Sequence, residues 1–156
     1  MMKNLKNTLI LGVISLISIG LYGCGVLQND TSFARTVMSL LVKDRYVVRP
    51  MIDWPNLRML DQNVGEEYSQ FKSESERADY ERAFISNFAK GFKAQKASLN
   101  DFCRWRVHDT SNPKLIVVAA DSARNKDVIC YFYIKHTGLN KKFVGMEIYV
   151  KAQAQE

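Results

Sequence analysis

Two periodicities divide the chain. Between residues 31 and 97 apolar side chains recur at three- and four-residue spacing, and from residue 101 onward they recur at every second position. The first spacing builds one face of a helix and the second one face of a strand. The pattern therefore predicts an α+β domain with N-terminal helices packed on a four-stranded antiparallel sheet.

The first helix is marked by Phe33, Val37, Leu40 and Leu41, at i, i+4, i+7 and i+8, with Thr31 or Ser32 placed to cap it. Pro50 bars any continuation. A second helix opens on Ser73-Glu74-Ser75-Glu76, a capping box in which serine and glutamate each satisfy the other's backbone amide. Behind it Tyr80, Phe84, Phe88 and Phe92, joined by Ile85 and Ala89, build an aromatic ridge that needs a sheet to cover it. Arg77, Arg82, Lys90, Lys93 and Lys96 fall mostly on its other sides and read as a solvated face. Between the helices, Trp54-Pro55 and Asn63-Val64-Gly65 read as turns, and Leu57, Met59 and Leu60 as a short buried turn of helix.

Four strands follow. Cys103, Trp105 and Val107 alternate with Arg104, Arg106 and His108, and residues 115–120 are continuously apolar. Val128, Cys130, Phe132 and Ile134 alternate with Ile129, Tyr131, Tyr133 and Lys135; Val144, Met146, Ile148 and Val150 alternate with Glu147 and Tyr149. The segments 109–114, 121–127 and 136–142 carry Asn-Pro, Asn-Lys and Thr-Gly turn signals and suit hairpins.

Ahead of the domain stands a leader. Lys3 and Lys6 precede an apolar run from Thr8 to Leu21, which at about 1.5 Å per residue falls short of a roughly 30 Å hydrocarbon core. The following Leu21-Tyr22-Gly23-Cys24 resembles a bacterial lipobox, with Tyr22 bulkier than the small residue usual there. That resemblance implies a signal peptide over residues 1–23, acylation of Cys24, a lipidated tether over 24–30 and a single α+β domain over 31–156. Each buried methylene of an acyl chain is worth about 0.8 kcal/mol, so such an anchor holds firmly. Gly25, where the inner-membrane sorting pattern has aspartate, implies an outer-membrane lipoprotein with its domain facing the periplasm.

Composition narrows the function. The 47% apolar content is inflated by the leader, but 11% aromatic residues speak for a packed core. Of the net charge of +6, Lys3 and Lys6 belong to the leader, so the domain is only mildly basic and nucleic acid is not an expected partner. In an oxidising compartment Cys103 and Cys130, both on inward parity, are expected to form one disulfide. A plain meander would hold their strands about 9.6 Å apart, beyond the roughly 7 Å that a bridge spans, so the bridge demands another strand order. Cys103, His108, Cys130 and His136 cannot converge as strand residues, so no metal or other cofactor is expected. There is no nucleophile elbow, metal-binding helix motif or phosphate loop, and Asp101, Asp109, Asp121 and Asp127 sit where capping and solvation account for them. The chain reads as non-enzymatic.

The element order over residues 33–150, with the ending Tyr131-Phe132-Tyr133-Ile134-Lys135 to Phe143-Val144-Gly145-Met146-Glu147, resembles the cone-shaped α+β fold of the nuclear transport factor 2-like superfamily. A cystatin-like helix-on-sheet arrangement fits nearly as well. The first resemblance implies a pocket between the concave sheet and the helices and carries over no catalytic residue. The outward strand positions stand out as a candidate interaction surface: Arg104 and Arg106, with His108 in the same stripe, and Tyr131, Tyr133, Lys135 and Tyr149. Arginine and tyrosine both bury area and hydrogen-bond at modest entropic cost. The reading is an accessory lipoprotein whose sheet face meets an envelope protein or a second copy of itself, the alternative being a small molecule held between the aromatic helix and the sheet.

Overall fold

In the computed structural model residues 29–151 are described; the leader, Cys24 and most of the tether lie outside them. The first helix, α1, spans Asp30–Val42 and begins slightly earlier than Thr31 or Ser32 would have it. A helix start leaves amides without partners, and Asn29 supplies the acceptor, its Oδ1 taking the Ser32 amide at 2.8 Å. Asp30 follows in the first turn, where the helix dipole favours a carboxylate. Phe33, Ala34, Val37, Met38 and Leu41 are buried against the sheet, so one stripe of this short helix supplies much of the core.

The sheet is a five-stranded mixed sheet rather than a four-stranded antiparallel one. Its order is β1-β5-β4-β3-β2, with β1 at Arg58–Met59, β2 at Phe102–Asn112, β3 at Leu115–Ser122, β4 at Val128–Thr137 and β5 at Asn140–Val150. Strands β2 to β5 form the expected antiparallel meander, and β1 joins the edge of β5 in parallel. Thus Leu57, Met59 and Leu60 are not a helical turn: Leu57 and Met59 bury their side chains along an extended edge, and Leu60 turns away with φ 55°. Gly145 permits this, because a Cβ there would stand 2.5 Å from the Arg58 carbonyl oxygen. Nor is Asn63-Val64-Gly65 a simple turn, since Val64 and Gly65 open a short helix, α2, at Val64–Gln70.

The third helix, α3, spans Glu74–Ala94 and starts with the capping box the sequence announces. Its ridge is covered differently from expectation. The helix packs against α1 and a 3-10 segment at Tyr46–Met51, its fully buried side chains are Glu81 and Ile85, and Phe84, Phe88 and Phe92 are half-buried. These three rings stack on one another with centroids 6.5 and 6.2 Å apart. At one end Phe84 meets the edge of Trp54 at 5.6 Å, and at the other Phe92 stacks on Phe102 at 6.1 Å. Phe102 in turn meets Phe132, which stacks on Trp105 at 4.8 Å. The ridge is therefore a ladder of rings joining the irregular segment to the sheet rather than a face pressed on it.

Strand β2 carries the largest departure from simple alternation. Arg104 adopts φ 49° at a bulge between Cys103 and Arg106, so the strand gains a residue relative to β3. Cys103 then pairs with Asp121 on the outward face, while Cys130 pairs with Ala120 on the core face. Strand β3 lies between them. The expected Cys103–Cys130 disulfide is accordingly not formed, and both are free thiols. Burial pushes the Cys130 thiol up to about 11, which leaves only about one thiolate in a thousand at pH 8. Alkylation of the folded protein at that pH is expected to label half-exposed Cys103 and to reach Cys130 only after denaturation; a peptide map finding neither thiol reactive in denaturant would restore the bridge.

Candidate functional site

All the described helices lie over one face of the sheet, and the other face is open. Across it Arg106, Ala119, Tyr131 and Glu147 stand opposite one another on β2, β3, β4 and β5. Ala119 is the smallest member of the row, and its lack of bulk lets groups on β2 reach β4 across it. The His108 ring accordingly lies 4.9 Å from that of Tyr131, and Tyr131 lies 6.3 Å from Tyr149. Tyr149 is half exposed and has open solvent beyond it.

Beside the rings sits a three-membered ionic cluster. Asp121, a buried carboxylate at the end of β3, pairs with Arg104 Nε at 2.7 Å and with Arg106 Nη1 at 3.1 Å. Arg106 Nη1 also donates to the Arg104 carbonyl at 3.0 Å. Burial opposes ionisation of Asp121, but the Arg106 hydrogen bond and the charges of Arg106, Arg104 and Lys151 outweigh it and hold the carboxyl below its usual range. The bulge at Arg104 gives this cluster its form, since it sets both guanidinium groups over one carboxylate. With two fixed cations on one anion, the cluster keeps a surplus of positive charge directed outward.

The remaining sequence-derived positions belong to the same face with different roles. Tyr133 donates its hydroxyl to Glu147 at 2.7 Å, and burial together with that bond pushes it up to about 12. Lys135 is engaged further along β4, donating to Asp53 at 2.8 Å. Burial works against the Asp53 charge, but hydrogen bonds from Lys135 and Asn56 hold its carboxyl below the ordinary range. The structure thus gathers Arg104, Arg106, Tyr131 and Tyr149 into one patch and sets Lys135 apart in an ion pair. Asp121, Glu147 and the contact of His108 with Tyr131 were not legible as parts of it.

A second polar cluster lies on the opposite side of the domain. Glu81 is 1% exposed and accepts from Arg49 Nε, from Tyr68 at 3.0 Å and from Tyr46 at 3.4 Å. Trp54 Nε1 donates to the Arg49 carbonyl at 3.2 Å and its ring stacks on Tyr68. Burial, then the bond to Glu81, pushes the Tyr68 hydroxyl above its ordinary value, so it stays a donor. This carboxylate is occupied by its neighbours and fastens the irregular segment to α3. Its signal in the sequence is its place one helical turn before Ile85, a carboxylate on the buried stripe.

Among the described residues no cluster of three or more histidine, cysteine or carboxylate side chains is arranged to hold a metal ion, and no helix is long and apolar enough to cross a membrane. His136 instead contacts Asp30, at 2.7 Å. Two open hollows meet at Leu99, near the ends of the helices. Comparison with models of protein families, with curated proteins and with solved structures finds no match to this chain. The nuclear transport factor 2-like resemblance gains no support from them, and the class that the geometry defines is an α+β domain with one open sheet face.

Proposed function

We propose that the chain is a non-enzymatic lipoprotein of the cell envelope, anchored through Cys24 to the outer membrane with its domain facing the periplasm, and that its open sheet face binds a protein partner. The observation that carries this reading is the patch itself: Arg104 and Arg106 clamped on Asp121 beside the His108, Tyr131 and Tyr149 rings, on the face that no described helix covers. Fixed arginines and tyrosines are the side chains that dominate binding energy at interfaces, because their order is established before the partner arrives. The ring ladder from Trp54 to Trp105 occupies the region between the aromatic helix and the sheet, which favours this reading over a small molecule held there.

The test joins the anchor to the face. A photo-crosslinking amino acid replacing Tyr149 in cells should capture one dominant partner from the membrane fraction, and the same group replacing Asn87 on α3 should not. Cys24→Ser should release the domain from that fraction. Equal capture from both positions would reject the face, and unchanged fractionation would reject the anchor; a captured second copy of the chain would identify the partner as itself.

A further inference from the structure

We propose that the groove between the last turns of α1 and α3 seats the headgroup of an anionic lipid, so that the domain lies helix side down on a membrane surface. The hollow has a volume of about 560 Å³ and is lined by Lys43 after α1 and by Lys90, Lys93 and Lys96 on and after α3. Val42, Phe92 and Leu99 give it an apolar floor. This pairing of cationic rim and greasy floor matches a lipid phosphate with the first carbons of its chains.

The charge is not spent within the protein. Among the described residues none of the four lysines takes part in an ion pair. The one carboxylate of the lining, Asp44, accepts from Ser86 at 3.4 Å. Between Glu81 and Asp101 the chain has no acidic residue at all. A helix C-terminus welcomes a lysine in its last turn, which accounts for Lys93. It does not account for Lys43, which arrives from a different helix, or for the convergence of all four on one hollow.

Placement gives the groove its partner. Helix α1 is about 18 Å long; its first turn receives the tether and its last turn opens on the groove. Anchor point and lysines therefore share the helix side, with the arginine and tyrosine patch on the far side of the sheet. The membrane setting rests on the anchored reading above, but the groove can be tested apart from it.

The full chain is placed in lipid nanodiscs carrying a photoactivatable phosphatidylglycerol or, in a parallel set, the equivalent phosphatidylcholine, and adducts are mapped by mass spectrometry. Adducts are expected on Lys43 and within residues 89–99 with the anionic lipid, at least tenfold above the zwitterionic one. A lysine near an anionic surface contributes about fivefold in partitioning, so Lys90→Gln with Lys93→Gln should lower labelling by about 25-fold. Equal labelling by both lipids, adducts concentrated elsewhere, or no change in the double variant would overturn the proposal. Displacement by millimolar inorganic phosphate would do so too, since it marks a site for a soluble anion. The disc retains the chain by acyl groups or by the apolar leader alike, so failure of lipidation at Cys24 does not imitate failure of the groove.

Discussion

Arg49→Ala is expected to destabilise the domain by about 3–5 kcal/mol, read as a lower urea midpoint with an unchanged slope. The reason lies in its partner. Glu81 is 1% exposed, whereas the Arg49 side chain is 40% exposed, so removing the arginine strands a carboxylate that water cannot reach. Two tyrosine hydroxyls remain to it, and neither brings charge. Glu81→Ala should be milder, because Arg49 can turn its guanidinium to solvent and the two hydroxyls are the only groups left to re-pair. The order of the two losses is the informative quantity: equal losses would mean that the pair acts through packing alone. The damage should begin locally, in residues 46–71, whose attachment to α3 depends on this cluster, and hydrogen exchange would show those amides opening first.

Replacing Arg104 and Arg106 together with glutamate is expected to reduce partner capture by the sheet face at least 100-fold, since interface arginines of this kind carry about 2 kcal/mol or more each. Charge reversal also leaves Asp121 buried among like charges, so the protein should lose stability as well. A second variant separates the two effects. Arg104→Gln, Arg106→Gln and Asp121→Asn together remove the whole ionic cluster and leave neutral groups of similar size, which is close to neutral for folding when pair and partner go together. Its melting temperature should stay within a few degrees of the parent while capture still fails. Full capture by this triple variant would place the partner elsewhere.

The elements legible in the sequence are those fixed by neighbours close along the chain. The capping box at Ser73 and Glu76 is a local exchange of hydrogen bonds, and it is found where the sequence puts it. The alternation of β4 and β5 is likewise local, and it places Phe132 and Tyr131 on the correct faces. What eluded the sequence depends on remote partners. The two-residue strand β1 exists because Gly145, far along the chain, lets the Arg58 backbone approach. The bulge at Arg104 puts a non-glycine residue into a left-handed conformation without a turn signal, and it moves Cys103 to the other face. The ionic half of the candidate patch was hidden by the same bulge, because Asp121 at the end of an apolar run reads as a strand terminus until Arg104 and Arg106 are seen above it.

The first turn of α1 determines how a tugged domain bears load. Asp30 takes His136 at 2.7 Å and Lys141 at 3.0 Å, and these two flank the turn between β4 and β5. A pull transmitted from the tether therefore enters the two central strands of the meander at once, through three side chains, before α1 can peel away. Force applied there, opposed by a partner gripping the outer sheet face, strains the domain in shear across several bonds together instead of unzipping them one by one.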